Sequence, residues 1–557
     1  MIDHRPWLKN YPLGVPSNID PSQYPTLVSF LKECFSKYKE LNAFECMGKK
    51  LTYREVDQYS EAFGAYLHYR GLQPGDRIAL MMPNMLQYPI AVFGALKAGL
   101  IIVNTNPLYT PREMEFQFLD SGVKAIVILE NFASNLQAVI QKTKINTVIV
   151  TSIGEMLGTI KGSLVNLVVR HIKRMVPKYN LQNTVRFQNA LLQGKQHTIK
   201  NFVNQPEDVI VHQYTGGTTG ISKGAMLTNQ SLVANMIQIR TWMQGYLVEG
   251  KEITLSPLPM YHIFAFAVNC LAMLSYGAHT VLVTNARDLN SIIKEFRNSK
   301  ISLMTGLNTL FNALNNHPEF KTLDFSALKI TVGGGMAIQK SVADRWKEIT
   351  GCPLTEGYGM TESSPLISVN PLDGSGKSGS IGLPVSSTEI RIMMDDGREA
   401  DFNQNGEIQC RGPQVMKGYY NQPSETAKTI IDGGWLCTGD IGYVDEDGYM
   451  YIVDRKKDMI LVSGFNVYPN EIENIVMMHP KVLEAAAIGV SDEKSGEVPK
   501  IFVVKKEESL TKEEIINHCK ANMTAYKIPK QVEFRTELPK TNVGKILRRA
   551  LKDQNDK

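Results

Sequence analysis

Three polar, glycine-rich clusters hold the residues best suited to chemistry: Tyr214-Thr-Gly-Gly-Thr-Thr-Gly-Ile-Ser-Lys-Gly224, Glu356-Gly-Tyr-Gly-Met-Thr-Glu362 and Thr438-Gly-Asp440. Glycines let backbone N–H groups turn toward phosphate oxygens without a Cβ in the way, while threonine hydroxyls and Lys223 add donors and positive charge. The first cluster is therefore built for an anion. It is not a Walker A loop, which needs its lysine directly after a glycine and before Ser or Thr; Lys223 follows Ser222 and precedes Gly224.

The elements around that loop suit ligand binding. Asp208 to Thr215 reads as a buried strand entering the loop, and the segment from Thr228 reads as a helix with Thr228 at its N-cap. Strand, loop and helix in this order form the place where open α/β sheets hold ligands. Helical and strand patterns alternate over about the first 370 residues, predicting two doubly wound α/β subdomains packed together. Strands are expected at Asp76 to Met82 and Ala125 to Leu129. The helix between them should open on Thr110-Pro-Arg-Glu113, a capping box with proline at its first position. A second series runs through Thr280 to Thr284, Ile301 to Thr305 and Leu328 to Val332, with helices at Leu289 to Ser299 and Ala337 to Thr350. From about residue 375 short strands and glycine turns predict a small β-rich subdomain. The charged run Asp454-Arg-Lys-Lys-Asp458 separates this body from an α+β tail of about 100 residues. The expected fold class is thus α/β, with an N-terminal domain over 1–455, its β-rich part over about 375–455, and a C-terminal domain over 456–557.

Composition narrows the function. A net charge of +5 without a basic tract interleaved with aromatics argues against nucleic acid as a partner. Seven dispersed cysteines without CxxC spacing give neither a disulfide framework nor a zinc site, and fit a reducing cytoplasm. The first residues lack an apolar signal core, and the apolar stretch from Pro89 to Val103 is broken by Lys97 and glycines, so the chain reads as soluble or peripheral. Between Glu155 and Glu207 no acidic residue occurs, while Lys161, Arg170, Lys173, Arg174, Lys178, Arg186, Lys195 and Lys200 supply eight positive charges. Leu164, Val165, Val168, Ile172, Met175 and Val176 recur there at helical spacing, with Arg170, Lys173 and Arg174 on or near the other side. This is either a basic helix packed on the core or a peripheral membrane patch on the cytoplasmic face.

Seven segments in order carry a family resemblance: Tyr214 to Gly224, Leu258-Pro-Met-Tyr-His-Ile-Phe264, Gly333-Gly-Gly-Met336, Glu356 to Glu362, Trp435 to Asp440, Val453 to Asp458, and Pro539-Lys-Thr-Asn-Val-Gly-Lys545. They resemble the acyl-adenylate-forming superfamily, and over nearly the whole chain the bacterial long-chain fatty acid–CoA ligases. The resemblance implies ATP and Mg²⁺ as cofactors and coenzyme A as co-substrate. It places Thr215, Gly216, Gly217, Thr218, Thr219, Gly220 and Lys223 around the β- and γ-phosphates, and counts Tyr214 among the nucleotide-binding residues. Thr215 and Glu362 would hold Mg²⁺. Gly333, Gly334, Gly335 and Met336, with Glu356, Gly357 and Tyr358, would form the wall around adenine, and Thr361 would also bind the nucleotide. Asp440 would accept the ribose hydroxyls with Arg455 in support, and His262 and Phe264 would shape the acyl entrance. Lys545, with Glu362 and Thr215, would be catalytic, and Lys457 would be the hinge of a mobile C-terminal domain. Two departures stand out: Cys437 where many relatives carry histidine or arginine, which makes the site thiol-sensitive if exposed, and Met360 where leucine is common. Ligases for medium-chain, aryl or other acids, and a noncatalytic lipid-binding protein, stay open as alternatives, as do chain length and oligomeric state, a dimer included.

Overall fold

A computed structural model describes residues 5–215, 222–463, 465–492, 495–541 and 546–555. The first sheet has seven strands in the order Thr184–Arg186, Thr147–Thr151, Ala125–Leu129, Arg77–Met81, Ile101–Asn104, Val209–Thr215 and Lys223–Thr228. All neighbours are parallel except the last pair. Continuous Val, Ile and Leu runs such as Ala125–Leu129, buried at every position, are what a sheet covered on both faces requires. The capping box forms as expected, with Thr110 and Glu113 satisfying each other's backbone N–H groups at the start of Pro111–Ser121.

The second sheet has nine strands, with Leu354–Gly359, Ile330–Gly333, Leu303–Gly306, Ile253–Ser256 and His279–Leu282 parallel at its centre. Its far edge is supplied by the N-terminal strands Asn42–Cys46 and Lys49–Thr52, so the two sheets are not consecutive halves of the sequence. The helix Gln87–Lys97 is buried along its whole length. This accounts for the apolar stretch from Pro89: it belongs to the core shared by the sheets, with Lys97 donating to Asp57 at 2.5 Å. No helix among the described residues is long and apolar enough to cross a membrane.

One expectation needs correction. The phosphate-type loop does not run from strand to helix, because Lys223–Thr228 returns as an antiparallel strand with Lys223 opposite Thr215. Its other edge is also paired: Met226 N–H donates to Gly418 at 2.9 Å, and Gly224 accepts from Tyr420 N–H at 2.8 Å. Backbone partners on both sides make this segment a strand despite its weak apolar pattern. The helix Asn229–Met243 follows with Thr228 as its cap.

Beyond these layers lies an antiparallel sheet of Glu389–Met393, Gly406–Arg411, Trp435–Val444, Ile430–Ile431 and Met450–Arg455. A separate sheet follows, built around the hairpin Val482–Asp492 and Gly496–Lys505 and covered by helices including Pro469–Met477, Lys512–Asn522 and Arg548–Asn555.

Candidate active site

Thr215, Gly333 and Glu356 stand at or near the carboxyl ends of parallel strands, where open α/β sheets bind ligands, and Asp440 and Arg455 come from the antiparallel sheet. Ile330–Gly333 delivers Gly333 and Gly334, and Gly333 lies in register with Glu356 on the neighbouring strand. A Cβ on Gly334 would come within 2.9 Å of the Gly357 carbonyl, and Gly335 has φ +76°, so both positions demand glycine. The two segments thus close into one wall. Glu356 accepts the Ile338 N–H at 3.1 Å, and burial pushes its carboxyl up to about 8 against that hydrogen bond.

Tyr358 donates its hydroxyl to Asp440 at 2.7 Å, while Arg455 stands 3.5 Å from the other carboxylate oxygen. Asp440 and Arg455 face each other on paired strands. The carboxylate keeps acceptor capacity for hydroxyls of a bound ligand, and the aromatic ring and the carboxylate are fixed relative to one another.

Glu362 is buried, and burial raises its pKa against the Tyr419 hydroxyl, which donates to it at 2.6 Å. Tyr419 also lies under Lys223, whose ammonium is 5.1 Å from the ring centroid and pairs with Glu425. Lys223 pulls the Glu425 carboxyl down to about 2. Tyr419, Glu425, Lys223, Thr215 and Glu362 are therefore drawn together by the pairing of residues 416–420 against Lys223–Thr228. Among the described residues no group of three or more side chains could hold a metal by themselves. A single buried carboxylate beside hydroxyl oxygens fits Mg²⁺, which keeps several waters and shares its coordination with substrate phosphates.

Phe264 approaches Gly334 to within ordinary contact of a Cβ there, and packs with Met336 against Leu258, Ala265 and Leu307. His262 caps the following turn through the Phe264 N–H. An apolar cluster thus abuts the glycine wall.

The sequence pattern of AMP-binding enzymes matches residues 31–420, and that of the AMP-binding enzyme C-terminal domain matches residues 471–545. The chain belongs to the AMP-binding enzyme family. It is 53% identical over 549 residues, 98% of each chain, to the long-chain-fatty-acid–CoA ligase of Escherichia coli O157:H7. Its fold is similar to the anthranilate–CoA ligase AuaEII in complex with anthranoyl-AMP, with TM-score 0.85, 24% identity, and 97% of this chain and 99% of that chain covered. ATP-bound MatB from Rhodopseudomonas palustris aligns with TM-score 0.82, 25% identity, and 95% and 99% coverage.

For this AMP-binding enzyme, several expected site residues have other employment. The Tyr214 side chain is turned into the first sheet's core and bonded to Asp120, which leaves only its backbone for a nucleotide. Arg170 is only partly exposed and is not free: with Arg186 it clamps the buried carboxylate of Glu130, at 2.5 and 3.2 Å. Cys437 is partly buried, takes a hydrogen bond from Gln409 at 3.3 Å and has its thiol pKa raised by burial, which lowers its reactivity. Thr361 opens the turn that carries Glu362. Lys457 lies just past the strand Met450–Arg455. Gly216, Gly217, Thr218, Thr219, Gly220 and Lys545 lie outside the described residues.

Tyr419, Glu425 and Arg548 were missed as site residues. Arg548 chelates Glu473 at 3.0 and 2.8 Å and reaches Asp454 and Asp458 at 3.6 and 3.5 Å. Burial opposes its charge, and these carboxylates more than offset that.

Two predictions arise here. Tyr419→Phe is expected to lower the nucleotide-dependent rate about tenfold, since one hydrogen bond to a buried carboxylate is lost with little change of shape; an unchanged rate would remove Tyr419 as a positioning residue. Because the Glu356 pKa is raised from 4.5 to about 8 on folding, the stability it contributes is full below the lower value and lost as pH rises through the upper one. Glu356→Gln should therefore melt near the wild type at pH about 5 and above it at pH about 9. Parallel Tm curves for the two proteins across that range would show that Glu356 ionises normally.

Proposed function

We propose that this chain activates long-chain fatty acids with ATP and transfers them to coenzyme A. A carboxylate oxygen attacks the α-phosphorus and expels pyrophosphate; the thiolate sulfur then attacks the acyl carbonyl carbon and expels AMP. The observation that carries the reading is that one short segment, 356–362, bears both Tyr358, bonded to Asp440 beside Arg455, and Glu362, bonded to Tyr419 beneath Lys223. That arrangement offers charge, donors and a ribose acceptor, and no protein nucleophile is required. The acid is already ionised at neutral pH, so the first step needs no general base. Positioning and charge stabilisation supply the catalysis.

In this reading Lys223 exchanges Glu425 for the phosphates, and Tyr419 holds Glu362 where an incoming cation needs it. Mg²⁺, when bound through Glu362 and Thr215, would neutralise phosphate charge. Phe264 and the apolar cluster with Met336 begin the acyl path. Identity of 53% to a long-chain-fatty-acid–CoA ligase supports the long-chain assignment. Each buried CH₂ contributes about 0.8 kcal/mol, so a C16 chain gains up to ~6 kcal/mol over C8 in a tunnel that encloses it. Pyrophosphate release measured across a panel of acids tests this: kcat/KM should be far higher for palmitate than for octanoate, and equal values would overturn it. Seven free thiols, six of them buried, support a reducing compartment such as the cytoplasm. Substrates that partition into bilayers favour peripheral association with the cytoplasmic face of a membrane.

A further inference from the structure

The basic stretch without carboxylates forms the helix Thr159–Leu167, which continues into a wider π turn at Val168–Ile172. One side of it is fastened. Gly162 packs so closely on Gly154 that a Cβ would meet the Gly154 carbonyl at 2.2 Å, Asn166 accepts the Gly154 N–H at 2.8 Å, Val169 is buried, and Arg170 holds Glu130. The other side is bare: Ile160, Leu164, Leu167, Ile172 and Met175 are 86, 62, 50, 67 and 51% exposed.

Those residues line up for a physical reason. At about 100° per residue, Ile160, Leu164 and Leu167 fall in one narrow stripe, and an uninterrupted α-helix would place His171 next. The extra residue of the π turn sets the face back by one position and brings Ile172 into the stripe instead. The backbone then leaves the helix at Arg174, with φ +50°, and the Met175 carbonyl is held by Asn131 at 3.1 Å. Lys161, Lys173, Arg174 and Lys178 flank the stripe and are exposed, and none of them pairs with a carboxylate among the described residues. Lys161 reaches only the Met47 carbonyl.

We propose that this stripe is a lipid-docking surface that seats the enzyme on an anionic bilayer, its apolar side chains entering the headgroup boundary and its basic residues meeting lipid phosphates. The inference rests on the peripheral-association reading above and assigns it a place. Charge selects the occupant. A second copy docked symmetrically would set Lys173, Arg174 and Lys178 against their own counterparts, and residues 156–206 hold no carboxylate to relieve that repulsion. A bilayer of anionic lipid supplies both the apolar layer and the opposite charge.

The test is cosedimentation of the full-length protein with vesicles of phosphatidylglycerol and phosphatidylcholine, and with phosphatidylcholine alone. The wild type should bind the anionic vesicles, less so at high salt. Two variants separate the contributions: Lys173→Glu with Arg174→Glu, and Leu164→Ser with Ile172→Ser. Each should weaken partitioning onto anionic vesicles by about tenfold or more, while turnover of detergent-dispersed acid stays at the wild-type level. Arg170 is left in place because it supports Glu130. A wild type that binds no vesicle overturns membrane association itself. A wild type that binds while both variants bind equally well overturns this surface and leaves association standing. Loss of self-association in the variants, with lipid binding intact, would assign the stripe to a second copy instead.

Discussion

Lys545→Ala is expected to lower the rate of acyl-adenylate formation by about 10²–10³, or about 3–4 kcal/mol, while leaving supplied acyl-AMP convertible to thioester. The reason is where charge develops. The first half-reaction builds negative charge on the α-phosphate as the carboxylate attacks, and we propose that Lys545 bridges the two and stabilises it; in the second half-reaction the thiol must reach the acyl carbonyl, and the domain turn proposed below takes Lys545 away before AMP departs. The described residues that flank Lys545 in sequence are held firmly. Ile546 pairs in an antiparallel bridge with Lys540, and Arg548 is bound by Glu473 and Asn470 and reaches Asp454 at the end of the β-rich sheet. Ile546 and Arg548, which follow the lysine in sequence, are thus anchored, the latter to the chain that enters the C-terminal domain. Measuring pyrophosphate exchange and, separately, thioester formation from acyl-AMP decides the matter. Equal loss in both would mean that Lys545 acts in neither step alone, or that the variant is misfolded, which a matched Tm excludes.

What could be read from the sequence and what could not differ by the range of the forces involved. Ala125–Leu129 is legible to the residue because five consecutive buried aliphatics between a lysine and a glutamate leave few alternatives. The box at Thr110 and Glu113 is legible because capping is settled within four residues. The strand Lys223–Thr228 is not, since its apolar pattern is weak and only its hairpin edge to Val209–Thr215 is local; its other edge pairs with residues 416–420, far along the chain. The same holds for the site. Glycine clusters mark where a backbone must approach a ligand, so Gly334 and Gly335 announce themselves. Tyr419 stands 57 residues from Glu362, and Glu425 stands 202 from Lys223, and no local pattern links either pair. Arg170 misled for the opposite reason: a basic residue in a basic stretch looks solvated, but its partner Glu130 sits 40 positions earlier. Long-range ion pairs set by tertiary packing are the part of the site that periodicity and spacing do not encode.

The second large effect concerns motion between the two half-reactions. Both act at one acyl carbonyl, but the first needs Lys545 beside it and the second needs room for the pantetheine arm, so we propose that the C-terminal domain turns about Lys457 between them. The structure holds the boundary from both sides. Upstream, Arg455 is held in register with Asp440, and Lys456 reaches Asp395 and Glu407 at 3.2 and 3.6 Å. Downstream, Asp458 is within 3.5 Å of Arg548. Lys457 falls between these attachments and has no ion pair among the described residues; the contacts that cross it, Asp458 and Met459 N–H to the Arg455 carbonyl at 3.0 and 3.2 Å and Arg548 to Asp454 at 3.6 Å, are the ones a turn there would exchange. Proline there fixes φ near roughly −65° and forbids the change. Lys457→Pro is expected to slow thioester formation by about 10²-fold, as misplacement of a reacting group by an ångström does, while acyl-adenylate formation stays within a few-fold of wild type. Lys457→Ala, which leaves the backbone free, should behave like the wild type in both steps. If proline slowed both half-reactions equally, or if alanine matched proline, the pivot would have to lie elsewhere in the charged run.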